Sequence, residues 1–345
     1  MDLGKQTKEK TFITAGLDIG SYSVKYAEVS WDEKGASLLS AQIHRTGASS
    51  SDQLKAVLKN LLGASSSPAK RVRISVSGPA VLIRNVTLPR MTPQELKSAI
   101  RFEAERHIPF HVDDCVLDYQ VLGQTANKVS MKLLLVAAKK ELINQRIKLL
   151  SEIGLQPDII DADILSFANA YAYLNDSPDI KTYGLLNIGH EVSSFAIIRN
   201  GELFFVREML SGGRQVTKAL TELRNVSEEA ADELKKKNDP EHASERILAT
   251  QKGFGSLADE IKRSIDYFEN EAGEELSVIF AAGGGSKSEK SAEFLSEELG
   301  KKVVLWNGTN KLLLGEGADP TFTRDHLPEL HVSYGLAIRK KSKNQ

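Results

Sequence analysis

Two short stretches carry the residues best suited to chemistry. One reads Leu-Asp-Ile-Gly-Ser-Tyr-Ser-Val-Lys over 17–25, the other Leu-Asn-Ile-Gly-His-Glu-Val-Ser-Ser over 186–194. In each, an apolar run ends on an acid or its amide, an Ile-Gly step and a polar turn follow, and a second strand-like run begins. Turns between strands expose consecutive backbone N–H groups, and small residues let a phosphate approach them. Gly20 is expected to permit unusual backbone angles. Ser21, Tyr22 and Ser23 make up the turn, with Ser21 and Ser23 as hydroxyl donors. Lys25 returns a positive charge toward the same anion. Asp18, at the end of the first strand, suits a magnesium ion held through its water shell.

The second copy makes the first more specific, because two phosphate cradles facing each other form a nucleotide clamp. In it Asn187, Gly189, Ser193 and Ser194 take the corresponding places, while His190 and Glu191 are bulky for a phosphate turn. Asn187 offers a carbonyl oxygen but no charge, and it cannot accept a proton. A positioned general base is worth about 10²–10⁴-fold in rate. The pattern therefore favours binding over hydrolysis. Two glycine groups extend the set. Gly283, Gly284 and Gly285 follow a buried-type strand, where backbone lies close to something flat or bulky. Gly212 and Gly213 open a helix after the third strand of the second copy.

These motifs need elements to hold them. Residues 12–45 and 183–210 each alternate as strand, turn, strand, turn, strand, so the chain contains a repeat. A helix is expected over 51–62 and a strand over "VRISVSG". From about Pro79 a distinct α+β block begins. Its helix over 93–108 has Thr92 as N-cap, Pro93 at the first position and Glu95 closing a capping box, with Met91 and Leu96 as a staple. Gly154 closes a second helix there. A helix rich in small residues runs from Asp161 to Leu174. The charged stretch 221–252 is read as a solvated helical pair, and a separate amphipathic helix is expected over 255–270. A short final helix carries Gly335 and Ala337, and the last residues, "KKSKNQ", are read as a disordered tail.

With 345 residues, the chain should hold two or three units at about 150 residues each. Its net charge of -1 gives no field favouring nucleic acid or an anionic membrane. Cys115 is the only cysteine, which excludes an internal disulfide and fits a reducing compartment. No apolar run approaches the ~18 residues needed to span a bilayer, and the N-terminus lacks a signal-peptide core. The expectation is a cytoplasmic protein without direct membrane insertion.

In this order the four motifs resemble those of the actin-like, sugar-kinase and DnaK-type ATPase superfamily. The closer resemblance is to the PilM family of type IV pilus assembly proteins, relatives of the division protein FtsA. It rests on "LDIGSYSVKYAEV", on "ELKSAIRFEAERHIPFHVDDCVLDYQVL" and on "NGELFFVREMLSGGRQVTKAL". It implies an α/β actin-like ATPase fold with two related halves and a small α+β subdomain inserted in the first half. The first subdomain would be 1–78, completed by about 156–178 and 331–345. The inserted one would be 79–155, the second half 179–220 with 253–330, and a small helical subdomain 221–252.

The resemblance also implies ATP and Mg²⁺ as cofactors, with Asp259, Lys262 and Arg263 beside the purine and Asp163 orienting an attacking water. Family members usually carry Asp where Asn187 stands, so the departure bears on turnover more than on binding. The implied partner is the N-terminal cytoplasmic peptide of the inner-membrane protein PilN, held between the first and inserted subdomains. Through it the protein would sit peripherally at the inner membrane as a pilus-assembly scaffold, with at most slow ATPase activity and self-association left open. An FtsA-like filament former and a small-molecule kinase of the same fold are the alternative readings.

Overall fold

The structure, a computed structural model, describes residues 12–46, 51–63, 71–124, 128–175, 179–237, 239–308 and 311–339. The expected disordered tail lies outside these. The first sheet is built on β1 (Phe12–Ile19), β2 (Ser23–Asp32) and β3 (Gly35–Arg45), an antiparallel meander. β4 (Arg71–Val76) lies parallel to β1, and β8 (Gln156–Ala162) parallel to β4. The second sheet repeats this plan. β9 (Thr182–Ile188), β10 (Ser193–Arg199) and β11 (Glu202–Met209) form the meander. β12 (Val278–Ala282) runs parallel to β9, and β13 (Lys302–Leu305), reached through helix α8 (Ser291–Leu299), parallel to β12. The strand orders β3-β2-β1-β4-β8 and β11-β10-β9-β12-β13 therefore match, with a two-residue strand, β14 (Leu313–Leu314), added at the edge of the first.

Strands β1 and β9 are central in their sheets and buried on both faces. One face of the first sheet packs Leu17, Ile19 and Tyr26 against helix α1 (Ser51–Gly63). Its other face, with Ala27 and Val29, shares a core with Leu185 and Ala196 of the second sheet. Two helices cross inside that shared core: α4 (Asp163–Leu174) and α9 (Pro320–Ile338). The crossing is backbone on backbone. A Cβ added to Gly335 would fall far inside contact distance of the Ser166 carbonyl, and one on Gly16 would strike the Ser333 carbonyl. At the far end of α9, the Arg73 guanidinium and the Thr14 hydroxyl each donate to the Ala337 carbonyl at 2.7 Å. Both satisfy an end carbonyl, and the guanidinium also complements the helix dipole.

A third sheet, ordered β5-β7-β6, comprises β5 (Val81–Pro89), β6 (Cys115–Gln124) and β7 (Ser130–Lys139). Helix α2 (Pro93–His107) covers one face with Leu96, Ile100 and Ala104. The capping box is formed: Glu95 N–H donates to the Thr92 hydroxyl, and Thr92 N–H donates to the Glu95 carboxylate at 2.7 Å. Such a cap contributes about 1 kcal/mol. Helix α3 (Lys140–Ser151) leads back to the first sheet through Leu149 and Leu150. Asn85 on β5 donates to the Leu203 carbonyl at 3.2 Å and also to that of Phe204, so this unit leans on β11 of the second sheet.

Four expectations change. The strand β8 and the edge strand β14 had no reading in the sequence. The final helix is 19 residues long and begins at Pro320, with Asp319 capping the Thr321 and Phe322 N–H groups. Gly154 lies three residues beyond the end of α3 at Ser151, in the left-handed region, within the turn that leaves the helix. Helices α5 (Gly213–Arg224) and α6 (Glu228–Lys236) are followed by α7 (Ala243–Ala272), a single 30-residue helix. It runs through the break expected near Gly253. That glycine does not interrupt the helix: it lets α7 approach α5, since a Cβ there would lie 2.6 Å from Val216 N.

Candidate functional site

The two turns of the repeat have the same hydrogen bond. Gly20 N–H donates to the Ser23 carbonyl at 3.1 Å, and Gly189 N–H to the Val192 carbonyl at 3.1 Å. Neither glycine uses the left-handed region. The expected need for unusual angles at Gly20 is thus replaced by a need for space: a Cβ would lie 3.0 Å from the Ser23 carbonyl, and at Gly189 2.5 Å from that of Val192.

The ladder explains the exchange of Asp for Asn. Asp18 stands opposite Lys25 across β1 and β2, and Asn187 stands opposite Ser194 across β9 and β10. In the first copy the pair is an ion pair, with Lys25 Nζ 3.0 Å from Asp18 Oδ2. In the second copy both members are neutral. Burying a charge without a partner is costly, so acid and base have disappeared together.

The turns do face each other. The Tyr22 ring is 4.7 Å from that of His190. Tyr22 Oη donates to Asp232 Oδ2 of α6 at 2.6 Å, so this side chain bridges the cleft. Burial first, and then the Asp232 contact, raise its pKa. Ser21 is exposed, whereas Ser23 and Ser193 are buried. Ser193 donates its hydroxyl to the Ser211 carbonyl at 2.6 Å and so holds the strand end.

Three motifs converge at the second turn. Gly212 caps α5 and Gly213 opens it. Gly213 N–H donates to the Gly189 carbonyl and Arg214 N–H to the His190 carbonyl, each at 2.9 Å. Gly283 has φ +92, and a Cβ there would lie 2.6 Å from Asn187 Oδ1. Its N–H donates to the Pro328 carbonyl at 2.6 Å. Gly285 packs on Gly189 and Ile188, and Gly284 lies near Glu329. Asp259, Lys262 and Arg263 are all exposed on α7. Lys262 lies nine residues, roughly 14 Å of helix, beyond the Gly253 crossing.

Asp163 is the first residue of α4, at the cleft. Its carboxyl is raised by burial and then by Asp18, against the Ser75 and Ser77 hydroxyls and Lys25. Three further groups had no reading in the sequence. Glu208 on β11 accepts the Gly78 N–H at 2.5 Å and is pushed up to about 8 by burial and by Asp163. Arg146 of α3 donates to the Ile19 carbonyl at 3.2 Å, beside the first turn. Burial lowers its pKa against the opposing pull of Asp163 and Asp18. Lys235 donates to the Gly213 carbonyl at 3.1 Å and to Thr217 Oγ1 at 2.8 Å. Only Glu208 had a local signal, an acid four residues before the Gly-Gly pair. Among the described residues, no three His, Cys, Asp or Glu side chains gather closely enough to hold an ion directly.

A family model described as "Type IV pilus assembly protein PilM" matches residues 16–341. A solved PilM–PilN type IV pilus biogenesis complex is similar at 26% identity and TM-score 0.83, covering 95% of this chain and 99% of that one. The ethanolamine utilization protein EutJ from Carboxydothermus hydrogenoformans matches at 13% identity and TM-score 0.56, covering 95% and 89%. A diol dehydratase-reactivating factor in nucleotide-free form matches at 11% and 0.54, covering 94% and 98%. The last two likenesses concern the fold alone.

Proposed function

The chain belongs to the PilM family of type IV pilus assembly proteins, and from that premise we propose that it is a nucleotide-binding scaffold that captures the N-terminal peptide of a PilN-like protein. The observation that carries the reading is the likeness, over almost the full length of both chains, to the PilM–PilN complex. The fold is that of the actin-like ATPases. Within it, the doubled turn supports ATP as the ligand. Gly20, Ser21 and Lys25 on one side, and Gly189, Gly213 and Gly283–Gly285 on the other, would hold the phosphates and the nucleoside.

Magnesium fits this donor set through water. It keeps several waters and demands octahedral geometry. Asp18, buried at the strand end and fixed by Lys25, would accept hydrogen bonds from that shell. When bound, the ion would neutralise phosphate charge. Asn187 supplies no proton acceptor, so the cleft holds nucleotide with slow turnover at most.

The inserted three-stranded unit is the partner-binding element in this reading. Phe102 on the outer face of α2 is 71% exposed, which suits a contact surface. No described helix is long and apolar enough to cross a membrane, so attachment to the inner membrane would come through the partner. Isothermal titration of the full chain with a PilN N-terminal peptide tests the proposal. Saturable binding is expected, and no binding with or without ATP overturns it.

A further inference from the structure

The residue level with Asn187 two strands away is an acid. Asn187 pairs with Ser194, and Ser194 pairs with Glu208. Directly opposite residues share a face of the sheet, so the three form one row. In the first sheet the corresponding row is Asp18, Lys25 and Ile43. One sheet thus places its acid on the first strand of the meander, and the other on the third.

Glu208 also has an unused acceptor. Its Oε2 takes the Gly78 N–H, while Oε1 is buried and has no hydrogen-bond partner. A buried acceptor left unmatched costs about 1–3 kcal/mol. Gly78, whose N–H Glu208 accepts, lies against the second turn: a Cβ on it would come 3.8 Å from Val192 Cγ2. The open oxygen is therefore at the cleft, in the half where Asn187 contributes no charge.

We propose that Glu208 is the cation-facing carboxylate of the second half, holding through water, opposite Asp18, the divalent ion of a bound nucleoside triphosphate. The proposal rests on the nucleotide reading above and makes Glu208 a positioning residue. A water-mediated role agrees with the lack of any directly ligating trio among the described residues.

The test is titration of the full chain with a non-hydrolysable ATP analogue, in magnesium and in EDTA. Wild type is expected to bind more tightly in magnesium. Glu208→Gln keeps an oxygen for the Gly78 N–H but cannot shed a proton to face the cation as a carboxylate. It is expected to bind about 10- to 100-fold more weakly in magnesium, the usual loss for an outer-shell metal partner, and unchanged in EDTA. Glu208→Asp, which keeps the charge on a shorter stem, is expected to retain most of the magnesium dependence. Equal magnesium dependence in Glu208→Gln and wild type overturns the proposal and leaves Glu208 as a latch on Gly78. Equal losses in both variants overturn it too, since shape and not charge would then matter. If wild type binds the analogue in neither condition, the nucleotide reading itself has failed.

Discussion

Restoring the acid at position 187 should damage the empty protein, because its ladder partner is gone. Asn187 is only 7% exposed, and its amide oxygen sits against the backbone of Gly283. Asn187→Asp would place a carboxylate there facing Ser194, where Asp18 faces Lys25. Burial without a counter-charge raises a carboxyl pKa, here by about one to two units. At 1.36 kcal/mol per unit, that is about 1.4–2.7 kcal/mol of lost stability at neutral pH. The sign follows from the proton: the folded form would hold it more tightly than the unfolded form. The loss is absent below about pH 4, grows as the pH rises through the folded pKa, and is constant above it. At about 2.1 cal/mol/K of unfolding entropy per residue, 1 kcal/mol moves the melting point of a 345-residue chain by about 1.4 °C, so melting should fall by roughly 2–4 °C near pH 7 and by little near pH 4. Adding Ser194→Lys should return most of it, as Lys25 does for Asp18. Differential scanning fluorimetry of the wild type, both single variants and the double variant at the two pH values gives the coupling directly. The reasoning is refuted if Asn187→Asp melts with wild type at neutral pH, or if Ser194→Lys lowers the melting point of Asn187→Asp further.

Gly335→Ala should destabilise by about 1–3 kcal/mol or more, the usual range for overpacking, because its methyl meets the rigid Ser166 carbonyl. Chemical denaturation would show this, and an unchanged midpoint would mean the helices can part freely. Tyr22→Phe removes the donor to Asp232 and should cost about 1 kcal/mol while loosening the cleft; faster limited proteolysis between α5 and α7 is the readout. His331 is buried with its ring on Phe167, and its Nδ1–H donates to the Pro328 carbonyl at 2.8 Å, which leaves Nε2 bare. Burial pulls its pKa down to about 3, so only the unfolded chain takes up a proton as the pH falls below about 6.5. Stability should decline by about 1 kcal/mol per pH unit from there downward, and His331→Gln should flatten that slope.

Much of this architecture was legible because each signal was local. The meander of 12–45, the capping box at Thr92 and Glu95, and the glycine run after β12 all declare themselves within a few residues. What escaped notice depends on distant packing. β8 begins Gln156-Pro157, and a proline argues against a strand unless it lies at a sheet edge, as this one does. Pro328 hid the front of α9 inside what is one helix. Gly253 looked like a break and is a crossing point. The exchange of Lys25 for Ser194 could be seen only once the register paired each with its acid or amide. Arg146 reaches the first turn from a helix far away in the chain, which no spacing rule encodes.

The small three-stranded unit is fastened at both ends, and to opposite sides. The loop leading into it gives the Gly78 N–H to Glu208 of the second half, and Asn85 holds β11. The helix leading out of it gives Arg146 to the Ile19 carbonyl of the first half. Together with the α4–α9 crossing this makes a closed linkage of four members: pivot, one arm, a tie bar and the other arm. In such a linkage the arms cannot swing without straining the bar or releasing one of its joints. Opening and closing of the cleft and the posture of the small unit are then a single degree of freedom, and a force applied to either is felt at the other.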